Sequence, residues 1–208
     1  MSALPDEALR QAHFDALYAA DEDPWRVRAS WYERRKRAIL LAALGKPRYR
    51  SVFEPGCGNG EMSAFLAPRC ERLLACDGAP AAVAAARRRL ADVGGCALRV
   101  ERRSLPAEWP VEERFDLILV SELAYYFAPA AWEAMLARAC ANLDDDGELV
   151  MCHYLHDFDD RAAATAAVHA AADAMPELRR FVRHQDQDFL LEGWRRRPRS
   201  ATGAGRAA

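Results

Sequence analysis

Residues 51–66, SVFEPGCGNGEMSAFL, constrain the fold more than any other part of the chain. A short apolar strand runs into a loop holding Gly56, Gly58 and Gly60, and helix-forming residues follow. Strand, glycine turn and helix in that order put the loop at the carboxyl end of a strand in an open α/β sheet, where such sheets bind ligands. Without a Cβ, glycines let the backbone approach the ligand closely.

The rest of the chain continues this grammar. Apolar runs at 72–77 (RLLACD), 97–103 (ALRVERR) and 115–123 (FDLILVSEL) alternate with the helical stretches EMSAFLAP and PAAVAAARRRLADVGG. The second helical stretch opens on Pro80 and stops at Gly94 and Gly95. LILV shows no in/out alternation, as expected of a parallel strand covered on both faces. AAWEAMLARACANL sets Trp132, Met135, Leu136, Ala139 and Leu143 on one helical face, DDDGELVMCHYL supplies a turn and a fifth strand, and 160–175 reads as an alanine-rich helix. RFVRHQDQ and DFLLEGW leave almost no room for a crossover helix, so they are expected to pair antiparallel.

Ahead of the sheet, residues 6–44 carry apolar positions in steps of three and four, including Leu9, Phe14, Leu17 and Tyr18, with a break at Asp23-Pro24. The expected fold is α/β and Rossmann-like: a mostly parallel sheet with a C-terminal antiparallel hairpin and N-terminal helices. One domain is expected over 1–198, with 1–48 a helical extension or lid and 49–198 the core. The segment 199–208, rich in Gly, Ser and Arg, is expected to be a disordered tail.

Asp77 lies about 20 residues past the first glycine, at the end of the second strand, where a carboxylate can accept hydrogen bonds from both ribose hydroxyls of a nucleotide. On position alone, NAD and S-adenosylmethionine (SAM) fit equally well. Charge separates them, because Glu54 and Glu61 flank the loop where a pyrophosphate would need bare N–H groups and a positive helix start. SAM has no phosphate and brings an α-ammonium and a sulfonium, which gain from nearby carboxylates.

The chain has 208 residues and a formal net charge of -2, with no overall field to recruit nucleic acid or an acidic membrane surface. Six cysteines, none in a CxxC pair, point to a reduced cytoplasmic setting. The polar, acidic start and the lack of a long apolar run indicate a soluble, unprocessed chain without a membrane span. His153 and His156 are an odd number of positions apart, on opposite faces of an extended segment, so no shared metal is expected.

"FEPGCGNGE" followed by "LLACDGAPAAVAAARRRL" resembles motif I and the acidic second-strand motif of class I SAM-dependent methyltransferases, and "FDLILVSEL" resembles their fourth-strand motif. The likeness covers about residues 50–193. "DEDPWRVRASWYERRKRAILLAAL", "LAPRC", "LPAEWP" and "SELAYYF" make it similar to the nodulation protein S (NodS) type, whose named member N-methylates a chitooligosaccharide amine. The resemblance implies that Glu54, Gly56, Gly58 and Gly60 line the methionine part of SAM, that Asp77 meets its ribose, and that Ser104 and Leu105 border the adenine. Many members carry an acidic residue where Ser104 stands.

Three further segments complete the expected site. Trp25, Tyr32 and Arg35 either fold over the cofactor, with Arg35 near its carboxylate, or belong to an amphipathic helix whose basic run Arg34–Arg37 is solvated surface. Ser121, Glu122, Tyr125 and Tyr126 follow the fourth strand and should face the reactive end of the cofactor, with Tyr125, Tyr126 and His156 on the substrate side. The segment lacks the Asn/Asp-Pro-Pro-aromatic pattern of DNA-adenine and protein-glutamine methyltransferases. Glu122, Tyr126 and His153 are the candidate proton acceptors. The expected activity is SAM-dependent N-methylation of a small or sugar-linked amine. O-methylation of a hydroxyl or carboxylate is the nearest alternative, ahead of an NAD-linked oxidoreductase or a non-catalytic SAM-binding protein.

Overall fold

The structure is a computed structural model that describes residues 7–198, so the expected tail 199–208 lies outside the described residues. Seven strands form one sheet in the order β3-β2-β1-β4-β5-β7-β6. They are β1 (Tyr49–Pro55), β2 (Cys70–Asp77), β3 (Ala97–Arg102), β4 (Phe115–Ser121), β5 (Leu143–Tyr154), β6 (Leu178–Gln185) and β7 (Phe189–Arg196). β1 to β5 run parallel, whereas β7 pairs antiparallel with both β5 and β6, so the terminal hairpin inserts its second strand next to β5.

The helices are α1 (Glu7–Ala20), α2 (Trp31–Ala43), α3 (Glu61–Leu66), α4 (Pro80–Leu90), α5 (Pro129–Asn142) and α6 (Thr165–Asp173). Two apolar layers enclose the sheet. Phe53, Ile118, Val120, Trp132, Met135 and Trp194 belong to one, and Leu40, Val52, Leu117, Leu119, Val150 and Phe189 to the other. Successive residues of β4 therefore feed opposite layers, which is why LILV is apolar throughout. Each such fully buried side chain contributes roughly 1.5–3 kcal/mol.

The alanine-rich helix starts later than its composition suggests. Residues 155–164 form a loop because the backbone N–H groups of Ala162 and Ala163 both donate to the Tyr125 carbonyl, at 2.8 and 3.0 Å. This docking carries Phe158 and Asp160 to the carboxyl ends of the strands. No helix among the described residues is long and apolar enough to cross a membrane.

Candidate active site

A cavity of about 740 Å³ opens where the strand order reverses between β1 and β4, the crevice in which open α/β sheets bind ligands. The β1–α3 loop and Asp77 form one wall, the segment after β4 another, and α1 and α2 cover it.

The glycine wall is built tightly. Gly58 has φ +53° and a Cβ there would lie 2.5 Å from the Tyr18 hydroxyl of α1, so the loop and the helix can touch only because the side chain is absent. Asp77 is half-buried, accepting from Gly58 N–H at 3.0 Å and Ala79 N–H at 2.9 Å, and it thereby fixes both the loop and the start of α4. Burial raises its carboxyl above the ordinary value, against the pull of those N–H groups. The buried Glu54 accepts from the Ser63 hydroxyl, and burial pushes its carboxyl up to about 7 despite that bond. The donor set suits a nucleoside carried on a cationic amino acid: Asp77 keeps lone pairs for ribose hydroxyls, and Glu54 stands ready for a cation.

Gly60 has another task. It does not line the cavity, and a Cβ there would come within 3.0 Å of Ala86, so it allows α3 to start close against α4. Glu61 lines the cavity, yet its carboxylate pairs with Arg37 at 3.3 Å and Arg89 at 2.9 Å. Its charge is already matched, so the electrostatic preference for a cation rests on Glu54 and Asp77.

The opposite wall centres on Glu122. Its φ of +52° is a left-handed conformation that a side-chain-bearing residue adopts at a cost of order 1–3 kcal/mol, sustained only where the surroundings fix it. Glu122 N–H donates to the Cys152 carbonyl at 2.9 Å. Its carboxylate accepts from Lys36 Nζ at 2.5 Å, from Tyr154 N–H at 3.0 Å and from the Tyr125 hydroxyl. Burial raises the Tyr125 phenol well above its ordinary value, and the Glu122 charge adds to the shift. Tyr126 packs edge-on against Phe14 of α1, centroids 4.8 Å apart, and lies near Phe158. Burial and then Asp160 hold its phenol protonated.

Of the expected site residues, Trp25, Tyr32, Glu54, Gly56, Gly58, Asp77, Leu105, Ser121, Glu122, Tyr125 and Tyr126 line this cavity. The Tyr32 hydroxyl is buried and has no hydrogen-bond partner among the described residues. Five expectations are corrected. Arg35 turns to the hairpin and pairs with Asp186 at 2.5 Å, away from the cavity. Ser104 lies off the lining with its N–H on the Glu108 carboxylate. Gly60 packs against α4, as described. His156 is exposed and paired with Asp188 at 3.2 Å. His153 is wholly buried beneath the site and both ring nitrogens are bonded, so no substrate proton reaches it.

Sequence reasoning missed several lining residues. Lys36 and Arg37 sit in the basic run expected to be solvated, yet both are buried against carboxylates. Burial opposes charge on Lys36, but Glu122 and Glu33 outweigh it and hold the ammonium protonated. Arg10, Gln11, Phe14 and Tyr18 of α1 also face the cavity. Phe14 and Tyr18 belong to the apolar stripe legible in the sequence, where a lining role looks identical to a core role. Asp23 joins α1 to the site by accepting from Val27 N–H at 2.8 Å and Asn59 Nδ2 at 3.0 Å. Asp160 lines the cavity with His13 Nε2 behind it, 2.9 Å from Oδ2.

A family model described as Nodulation protein S (NodS) matches residues 11–172. The nodulation protein S of Rhizobium tropici is 35% identical over 113 residues, 54% of this chain and 46% of that protein. The chain spans about half the length of the curated relatives it matches first. Among solved structures, a Pseudomonas syringae protein described as a candidate methyltransferase is 46% identical with a TM-score of 0.69, over 80% of this chain and 100% of that one. The N-methyltransferase NodS of Bradyrhizobium japonicum WM9, solved with S-adenosyl-L-homocysteine, is 25% identical with a TM-score of 0.76, over 89% of this chain and 98% of that one.

Proposed function

Because the chain belongs to the nodulation protein S (NodS) family, we propose that it transfers a methyl group from SAM to the nitrogen of a small or sugar-linked amine. One observation carries this reading: a single cavity joins the Asp77–Gly58 wall, suited to an adenosyl amino acid, to the Glu122–Tyr126 wall, suited to an amine.

SAM supplies a methyl group already activated by its sulfonium. Asp77 would hold the ribose hydroxyls, Gly56 and Gly58 would admit the methionine portion, and Glu54 would balance positive charge there. Leu105 would give the adenine an apolar wall. The chain's remaining work is alignment, exclusion of water and removal of one proton.

At the acceptor wall, Glu122 spends three of its roughly four lone-pair sites on Lys36, Tyr125 and Tyr154. Its remaining site orients an amine rather than serving as a free base. Asp160 stands at the same wall near Tyr126, and His13 behind it is partly open to solvent. We assign the proton to Asp160, with His13 as its route to water. The Tyr32 hydroxyl, without a partner among the described residues, gives a polar acceptor body a further hydrogen bond.

The test is incubation with SAM and a panel of acceptors, including glucosamine, glucosamine oligomers, simple alkylamines and matched hydroxyl compounds, followed by mass spectrometry. Methylated nitrogen on at least one amine is expected. Transfer only to hydroxyls, or to no acceptor despite saturable SAM binding, would overturn the reading.

A further inference from the structure

Beneath the acceptor wall a buried chain of hydrogen bonds runs from the active-site turn along one face of the sheet, through α6, to β7. Ala124 N–H donates to His153 Nε2 at 3.1 Å, His153 Nδ1 lies 3.0 Å from His169 Nε2, and His169 Nδ1 lies 3.0 Å from Glu192 Oε2. The other Glu192 oxygen meets Arg180 at 2.8 Å and Arg183 at 3.1 Å. His153, His169 and Glu192 are each at most 3% exposed, so water does not relieve an unmet donor or acceptor.

The proton positions follow from the ends inward. A backbone N–H can only donate, so His153 Nε2 must be the bare nitrogen and Nδ1 must carry the hydrogen. His153 then donates to His169, whose Nε2 is bare, and His169 Nδ1–H points at the Glu192 carboxylate, which is held below its ordinary value against burial by His169 and then by Arg180 and Arg183. No other assignment satisfies every contact with neutral rings. Burial, followed by His169, Lys36 and Arg161, drives His153 well below the ordinary histidine value, in keeping with a neutral ring.

We propose that His153, His169 and Glu192 form a one-way hydrogen-bond chain, both imidazoles locked as the Nδ1–H tautomer, that positions the turn carrying Tyr125 and Tyr126 against the acceptor. The turn is short, Ala124–Tyr126, and begins two residues after the left-handed Glu122. Ala124 N–H is the point at which this chain grips the turn, beside the bonds to the Tyr125 carbonyl and hydroxyl, and the His153 ring also packs edge-on against Tyr125 with centroids 5.1 Å apart. The three are positioning residues that touch no reacting atom. The kinetic consequence rests on the methyl-transfer reading, whereas the tautomers do not.

Nitrogen-15 NMR of the full chain labelled in histidine tests the tautomers directly, with His153→Gln and His169→Gln assigning the signals. Both rings should show a protonated Nδ1 and a bare Nε2 at neutral pH, and the Ala124 amide should exchange slowly with solvent. A protonated Nε2 on either ring, an imidazolium, or fast Ala124 exchange overturns the proposal. Kinetics test the consequence. H153L should raise the acceptor KM by about tenfold, the scale of one buried hydrogen bond, while S-adenosylhomocysteine affinity changes less than about twofold. His153→Gln, whose side-chain oxygen can still accept from Ala124 N–H, should restore most of the loss. Equal KM values for H153L and the native chain overturn the positioning role. If H153L does not fold, the His153→Gln variant and the NMR tautomers decide. Absence of turnover in the native chain itself, with the tautomers as expected, would count against methyl transfer and leave the hydrogen-bond chain standing.

Discussion

Lys36 Nζ lies 2.5 Å from a carboxylate oxygen of Glu122 and 2.9 Å from one of Glu33, so helix α2 clamps the residue that follows β4. Lys36 is almost fully buried, and removing one partner of such a pair leaves the other charge uncompensated. K36M is therefore expected to cost about 3 kcal/mol of stability, the low end for buried pairs because Glu122 keeps some solvent access. The double variant K36M/E122Q should recover part of that loss. Urea denaturation of the four proteins in the cycle checks both statements.

Asp77 is the most exacting position at the cofactor end. D77A leaves Gly58 N–H and Ala79 N–H without acceptors and removes the carboxylate expected to meet the ribose. A loss of at least about tenfold in S-adenosylhomocysteine affinity follows from a charged hydrogen bond worth roughly 1.5–3 kcal/mol. Calorimetric titration measures it, and unchanged affinity would remove Asp77 from the site.

Glu54 makes stability depend on pH with a definite sign. Its carboxyl is raised from an ordinary 4.5 to about 7 in the folded chain, so the native state holds its proton more tightly than the unfolded one. The resulting stabilisation is complete below about 4.5, falls as pH rises towards about 7, and is absent above it. The full swing is on the order of 3 kcal/mol. E54Q stays neutral throughout, so the stability difference between native and variant should change across that window and then level off. Denaturation midpoints taken from pH 5 to pH 8 give the curve.

The contact between Gly58 and Tyr18 yields a double-variant prediction. G58A incurs roughly 1–2 kcal/mol for a side chain in left-handed backbone, and its Cβ also collides with the Tyr18 hydroxyl. Y18F removes the nearest atom but not the backbone cost. The two substitutions should therefore couple, the pair being less destabilised than the sum of the single changes. Thermal unfolding of all four chains is the measurement.

How legible each part was depends on what a residue type can reveal without its neighbours. The seven strands were readable because buried runs such as LILV and the back-to-back RFVRHQDQ and DFLLEGW admit few placements, whereas the insertion of β7 between β5 and β6 is a tertiary pairing that no local run announces. Gly56, Gly58 and Asp77 were readable because a glycine turn and a carboxylate at strand ends are local features. Lys36 was not, since a lysine in ERRKR looks solvated until Glu122, remote in sequence, is brought against it. His153 misled for the same reason: position at a strand end says nothing about which face of the sheet the ring enters, and His169 and Ala124 claim both nitrogens. The loop 155–164 replaced the start of a helix because Tyr125 offers its carbonyl, a tertiary partner that alanine content cannot announce.

Asp160 and His13 join the loop before α6 to helix α1 through a 2.9 Å contact, so the proposed proton route exists only when α1 lies across the cavity. D160N removes the acceptor while keeping size and one hydrogen-bonding oxygen. If Asp160 takes the amine proton, kcat should fall about 100-fold, the lower range for general-base catalysis, with S-adenosylhomocysteine affinity nearly unchanged. H13A leaves the carboxylate in place, so its loss should be smaller, and because imidazole exchanges protons readily with water, added imidazole should restore part of it. An acceptor presented with its amine already deprotonated at high pH should narrow the gap between D160N and the native chain, because the base then has less to do. Steady-state rates for the three proteins across pH, with and without imidazole, distinguish this route from a purely structural tie. A structural tie would lower SAM affinity and stability together and show neither the imidazole rescue nor the pH convergence.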